Sequence, residues 1–193
     1  MARGLYVVNQ LPPIDVVSRP AVASFAAAQD IYGAPQKMLP KALMDVGLTL
    51  ELAAHGEFSL VSSATASCGF GIGCAPLAAP TTGQAILAQS QLLTPGAATI
   101  TSGHWQAYYM GKLKTIGTGT AGGTFKGRGW VRLASSATPF NTDVNWPIPV
   151  TLLLATVTFD CTADRPLNVI WQWGTSAAGN TVTVDDFIAK LAS

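Results

Sequence analysis

Residues 103–134 read GHWQAYYMGKLKTIG, then GTGTAGG, sharing Gly117, then TFKGRGWVRLA. In the first run Trp105, Ala107, Tyr109 and Leu113 fall on one side, with His104, Gln106, Lys112 and Lys114 on the other. In the last, Phe125, Val131 and Leu133 oppose Lys126, Arg128, Trp130 and Arg132. Alternation with period two is the signature of strands with one face buried, and the small-residue run between them is a loop. Two long antiparallel strands are the economical reading, and they set an all-β expectation for the rest of the chain.

The neighbouring segments agree with that expectation. GLTLELAAHGEFSLVSS, 47–63, alternates Leu48, Leu50 and Leu52 with Thr49 and Glu51, then resumes at Phe58 and Leu60. TASCGFGIGCAPLAAPTTG predicts one short strand around 66–72, with the glycines read as turn residues, and QAILAQSQLL, 84–93, fits either a strand or a helical stretch. VTLLLATVTFDCT reads as strand on its β-branched content. RPLNVIWQW aligns Leu167, Val169, Trp171 and Trp173. In the closing run, Val184, Phe187, Ile188 and Leu191 have helical spacing; a strand bulged at Asp185 and Asp186, with Phe187, Ala189 and Leu191 facing in, is the favoured reading. GTSAAGN has the length and chemistry of a connection between neighbouring strands. Without βαβ periodicity, eight or nine strands predict a jelly-roll-like antiparallel β-sandwich over 46–193.

Residues 1–45 differ. LPPIDVVSRP packs three prolines into a short span, each lacking a backbone donor and restricting its predecessor. AVASFAAAQDIYG, 21–33, has the alanine content of a short helix. The expectation is an extended N-terminal arm, either a flexible tail or, as its apolar residues favour, a segment ordered on other subunits with Leu5, Val7, Val8, Ile14, Val16, Val17 and Phe25 as its contact residues.

Composition points the same way. Of 193 residues 49% are hydrophobic but only 11% are charged, against roughly 25% in ordinary soluble domains, and the net charge is +1. Low charge favours association, so the chain suits a subunit whose surface is covered by neighbours. No unbroken apolar run is long enough for a secretory signal or a membrane span, so no membrane role is expected. Cys68, Cys74 and Cys161 are too few for a disulfide scaffold. The five residues between Cys68 and Cys74 exceed the usual spacing of a zinc pair, so neither metal nor cofactor is expected.

Catalytic readings fare no better. No G-x-S-x-G elbow is present, and His55 and His104 would have to serve every triad. GFGIG and GTGTAGG lack the Lys-Ser/Thr of phosphate loops. A non-enzymatic protein is expected. Lys112, Lys114, Lys126, Arg128 and Arg132, with Trp130 among them, form a candidate charged contact face. Near-neutral charge and the lack of a second basic cluster argue against direct nucleic-acid contact. Trp171 and Trp173 share one side of their strand, in the core or at a subunit interface; an interface more readily supplies their indole N–H groups with acceptors.

Three runs carry a resemblance: GLTLELAAHGEFSLVSS, HWQAYYMGKLKTIGTGT and TVTFDCTADRPLNVIWQWGTSAAGNTVTVDDFIAKL. With their positions Trp105, Gly117 to Thr120, Leu167 to Gly174 and Asn180 to Leu191, they resemble the β-sandwich structural proteins of tailed-bacteriophage virions. The likeness covers about three quarters of the chain and is one of strands and turns. It implies a jelly-roll-like homotrimer on the outer capsid surface, assembled in the host cytoplasm and cementing the major capsid protein through its N-terminal arm. The alternative is a receptor- or glycan-binding module of a tail or fibre base, using Trp130, Trp171 or Trp173.

Overall fold

A computed structural model describes residues 7–11, 21–23, 25, 27–61, 67–74, 85–92, 99–116, 123–134, 145–148 and 156–192. Its strands are β1 (Val7–Gln10), β2 (Val22–Ala23), β3 (Gln29–Asp30), β4 (Lys37–Leu39), β5 (Thr49–Leu60), β6 (Cys68–Cys74) and β7 (Ala85–Gln89). They continue as β8 (Ile100–Thr115), β9 (Gly123–Ala134), β10 (Asn145–Ile148), β11 (Thr156–Phe159), β12 (Arg165–Trp173), β13 (Thr181–Val182) and β14 (Asp186–Ala192). One 3-10 turn, Lys41–Leu43, stands among them.

The alternating hairpin is β8 and β9, paired antiparallel with Trp105 opposite Leu133, Ala107 opposite Val131 and Leu113 opposite Phe125. These six side chains are buried. β8 also pairs with β5, and β5 with β14, giving a larger sheet in the order β1-β14-β5-β8-β9-β10, with β11 on β9 and β13 joining β2 to β5. The smaller sheet runs β3-β12-β6-β7, with β4 also on β12. An all-β, two-sheet sandwich-like arrangement results.

Aromatic rings from both sheets meet in the space between. Trp105 of the larger sheet lies 5.7 Å from Trp171 and 5.5 Å from Phe70 of the smaller one, and Phe58 lies 6.0 Å from Trp171. Trp171 and Trp173 meet edge to face at 5.4 Å, and Phe25 sits 6.2 Å from Trp173. Offset and edge-on geometries of this kind set the negative ring face of one partner against the positive edge of the other.

Several local expectations change. The GFGIG run is the middle of β6 rather than a turn. Cys68, Phe70, Ile72 and Cys74 alternate with glycines, and every residue of the strand is buried. The glycines let other chain segments come close: a Cβ on Gly71 would lie 3.2 Å from the Ala88 carbonyl oxygen. AILAQ, Ala85–Gln89, is strand, and the final segment is strand with Phe187, Ala189 and Leu191 inward. GTSAAGN carries the chain from β12 in one sheet to β13 in the other, instead of joining neighbours within a sheet.

The largest correction concerns residues 1–45. Where a helix was expected over 21–33, β2 and β3 are formed. β1 pairs with β14, β2 with β13, and β3 and β4 with β12. The Leu11 N–H donates to the Ala189 carbonyl and the Ile31 N–H to the Val169 carbonyl, both at 2.8 Å. The described parts of the expected arm therefore extend both sheets of the same chain. The physical reason is that the prolines shorten the strands without removing the need to pair their backbone groups, and the body offers open strand edges for this.

Lys37, on β4, is fully buried, with its Nζ 3.4 Å from the Leu11 carbonyl oxygen and 5.8 and 5.9 Å from the Tyr32 and Phe187 ring centroids. Ring faces and a carbonyl replace part of the water its ammonium leaves behind.

Candidate functional site

The outward side of the larger sheet holds the candidate site. Strand pairing places side chains there in rows that cross four strands. One row is Ile188, Ala53, Tyr108 and Trp130, from β14, β5, β8 and β9. The next, toward one end, is Asp186, His55, Gln106 and Arg132; toward the other it is Lys190, Glu51, Met110 and Arg128.

In the central row the Tyr108 and Trp130 rings stack at 26° with centroids 6.3 Å apart. Direct cross-strand neighbours on one face lie close enough for such contact. Burial, and then the Glu51 carboxylate beside it, hold the Tyr108 phenol above its ordinary range. Ala53 is too small to fill its place in the row. An open depression of about 200 Å³ results, lined by Ala53, Tyr108, Trp130 and Ile188 and by the polar residues His55, Gln106 and Asp186.

The structure brings Lys112, Lys126, Arg128, Trp130 and Arg132 onto this one face, Lys112 directly opposite Lys126, with Lys114 exposed one alternation further along β8. Glu51 and Asp186 share the face, so both signs are present, with Lys and Arg in excess.

Trp171 and Trp173, expected in the core or at a subunit interface, are fully buried between this chain's own two sheets. Neither can serve as a sugar platform or a partner contact without opening the sandwich. Among the described residues their indole nitrogens meet no acceptor, whereas the Trp105 Nε1–H donates to the Thr183 carbonyl at 3.0 Å. Phe25, expected in the arm's contact set, is also buried, against Trp173. Val7 and Val8 lie in β1, paired through their backbone with β14. Leu5, Ile14, Val16 and Val17 lie outside the described residues.

The cysteines are free and buried. Burial pushes the Cys74 thiol up to about 12 and the Cys68 thiol higher still, which leaves both protonated and poorly nucleophilic at neutral pH. Among the described residues no three His, Cys, Asp or Glu side chains converge as metal ligands would. No described helix is long and apolar enough to cross a membrane.

Sequence reasoning singled out Trp130 but missed Tyr108, Ala53 and Ile188 as its partners. The signal was present in the alternation, since Tyr108 must oppose Tyr109 in facing. The cross-strand register that sets Tyr108 beside Trp130 was not. No family model matches the chain, and no curated protein matches it, so what the site does has to be argued from its own geometry.

Proposed function

We propose that the chain is a non-enzymatic structural protein of a tailed-bacteriophage virion, decorating or cementing the head as a homotrimer bound to the major capsid protein. The observation that carries this reading is a charge-poor composition, 11% charged residues, on an all-β two-sheet scaffold. A surface so sparse in charge is weakly hydrated, has little charge repulsion to keep copies apart, and gains from being covered. The strand-and-turn resemblance described above supports the virion setting, the outer capsid surface and jelly-roll connectivity. With the described arm segments paired to their own body, subunit contacts fall to the sheet faces and edges, the Lys- and Arg-bearing face of β8 and β9 among them.

Immunogold labelling of virions with antibody raised against the purified chain tests the proposal. Labelling over the head is expected; virions that carry no label overturn it.

A second reading, a receptor- or glycan-binding module of a tail or fibre base, is favoured by the stacked Tyr108–Trp130 pair beside its depression. Label confined to the tail, together with adsorption of the purified chain to host cells, is the result this reading expects.

A further inference from the structure

We propose that the depression between Ile188 and the Tyr108–Trp130 pair is a binding site for a single pyranose ring of a surface polysaccharide. The inference deepens the receptor reading and rests on it.

Three features select that ligand class. The first is shape. Ile188 and Tyr108 flank Ala53 on adjacent strands, so the walls rise two strand spacings apart, about 9–10 Å at the backbone. The volume of about 200 Å³ lies below the roughly 300–1,000 Å³ of sites for larger ligands and cofactors. One six-membered ring fits; an extended ligand does not.

The second is the wall itself. Tyr108 and Trp130, at 26° to one another, present neighbouring aromatic surface with negative ring faces. The C–H face of a pyranose carries the complementary partial positive charge.

The third is the polar rim. Asp186 accepts hydrogen bonds, and the Gln106 amide both donates and accepts. Sugar hydroxyls do both as well. Among the described residues that line the depression there is no Lys or Arg, Asp186 carries the negative charge, and Arg132 stands at the far end of the Asp186 row, three strands away, so the lining offers no ammonium or guanidinium group to hold a phosphate or other anion. A neutral, hydroxyl-rich ring is complementary to such a rim. Met110 is the large exposed apolar side chain in the adjoining row, too little for the contiguous apolar patch that a protein partner would need.

Saturation-transfer NMR on the full chain tests this. The probes are methyl β-D-glucopyranoside, methyl β-D-galactopyranoside and methyl α-D-mannopyranoside, with adenosine as a flat-ring control. The Trp130 indole N–H resonance is followed in parallel. At least one pyranoside should bind with a Kd of about 1 mM and move that resonance. Trp130→Ala, which removes the wall, and Ala53→Leu, which fills the floor, should each weaken binding by about tenfold or more. Absence of transfer from every pyranoside overturns the inference, as does binding undiminished in both variants or a preference for adenosine. Host-cell adsorption is measured beside it. Adsorption that persists in Ala53→Leu while no pyranoside binds sinks the sugar site and leaves the receptor reading standing. Loss of adsorption by the unaltered chain sinks the receptor reading itself.

Discussion

Trp105 is buried in the core, yet its indole nitrogen donates to the Thr183 carbonyl. Gly56, directly across from it on β5, makes this contact feasible: a Cβ there would stand 2.9 Å from the indole nitrogen and in collision with the Thr183 carbonyl oxygen. Gly56→Ala should therefore cost about 1–3 kcal/mol by overpacking, read as a lower urea midpoint; an unchanged midpoint would contradict this account. Trp171→Ala should cost about 3–5 kcal/mol in the same assay without changing the oligomeric mass, because the ring fills the chain's own core. Dissociation of an oligomer in place of loss of folding stability would return that ring to an interface. Asp30 adds a pH dependence. Burial lifts its carboxyl above its ordinary value of 3.8, against hydrogen bonds donated by the Tyr32 and Gly33 N–H groups and by Asn168. The folded state then holds the proton more tightly than the unfolded chain. Its contribution is fully present below pH 3.8 and is lost as pH rises through the raised pKa. Asp30→Asn should flatten that decline in urea titrations run at successive pH values; a slope unaltered by the substitution would rule Asp30 out as its source. At this scale the sequence told inward from outward well, because alternation alone decides it. It could not tell whether Trp171 met its own chain or another, since both demand the same apolar face.

Among the elements, the long strands were the legible ones. β5, β8 and β9 each repeat their pattern often enough that one face is unmistakably apolar. The closing strand was resolved in spite of helical spacing at Val184, Phe187, Ile188 and Leu191, because β14 is held along its length by β5. The short strands before residue 45 were not legible. Two to four residues carry no periodicity, and their pairing with β12, β13 and β14 depends on partners more than a hundred residues away. The same pairing makes a prediction that separates a stitched segment from a free arm. In the isolated chain the Leu11 and Ile31 amides, bonded to Ala189 and Val169, should exchange with solvent as slowly as those of neighbouring body strands. Exchange at the rate of an unstructured peptide would show that these strands form only in an assembly. For the candidate site, each strand supplied a readable outward residue; what could not be read was the cross-strand alignment that assembles Ile188, Ala53, Tyr108 and Trp130 into one row.

For the whole molecule, the two sheets close over a single aromatic core while one outward face keeps a mixed set of charges around a stacked ring pair. If the chain is the capsid subunit proposed, sedimentation of the purified protein should give a trimer; a monomer at every concentration tested would count against that assembly. The partnership of β1 with β14 also bears on how the chain is made. Val7 faces Ala192 across that ladder, so at ribosomal speeds of about 5–20 residues per second its partner emerges roughly 10–40 s after it. β3 and β4 wait in the same way for β12. The front of the nascent polypeptide must therefore spend most of synthesis without its native neighbours; the smaller sheet can close only after β12 is made and the larger one only after β14.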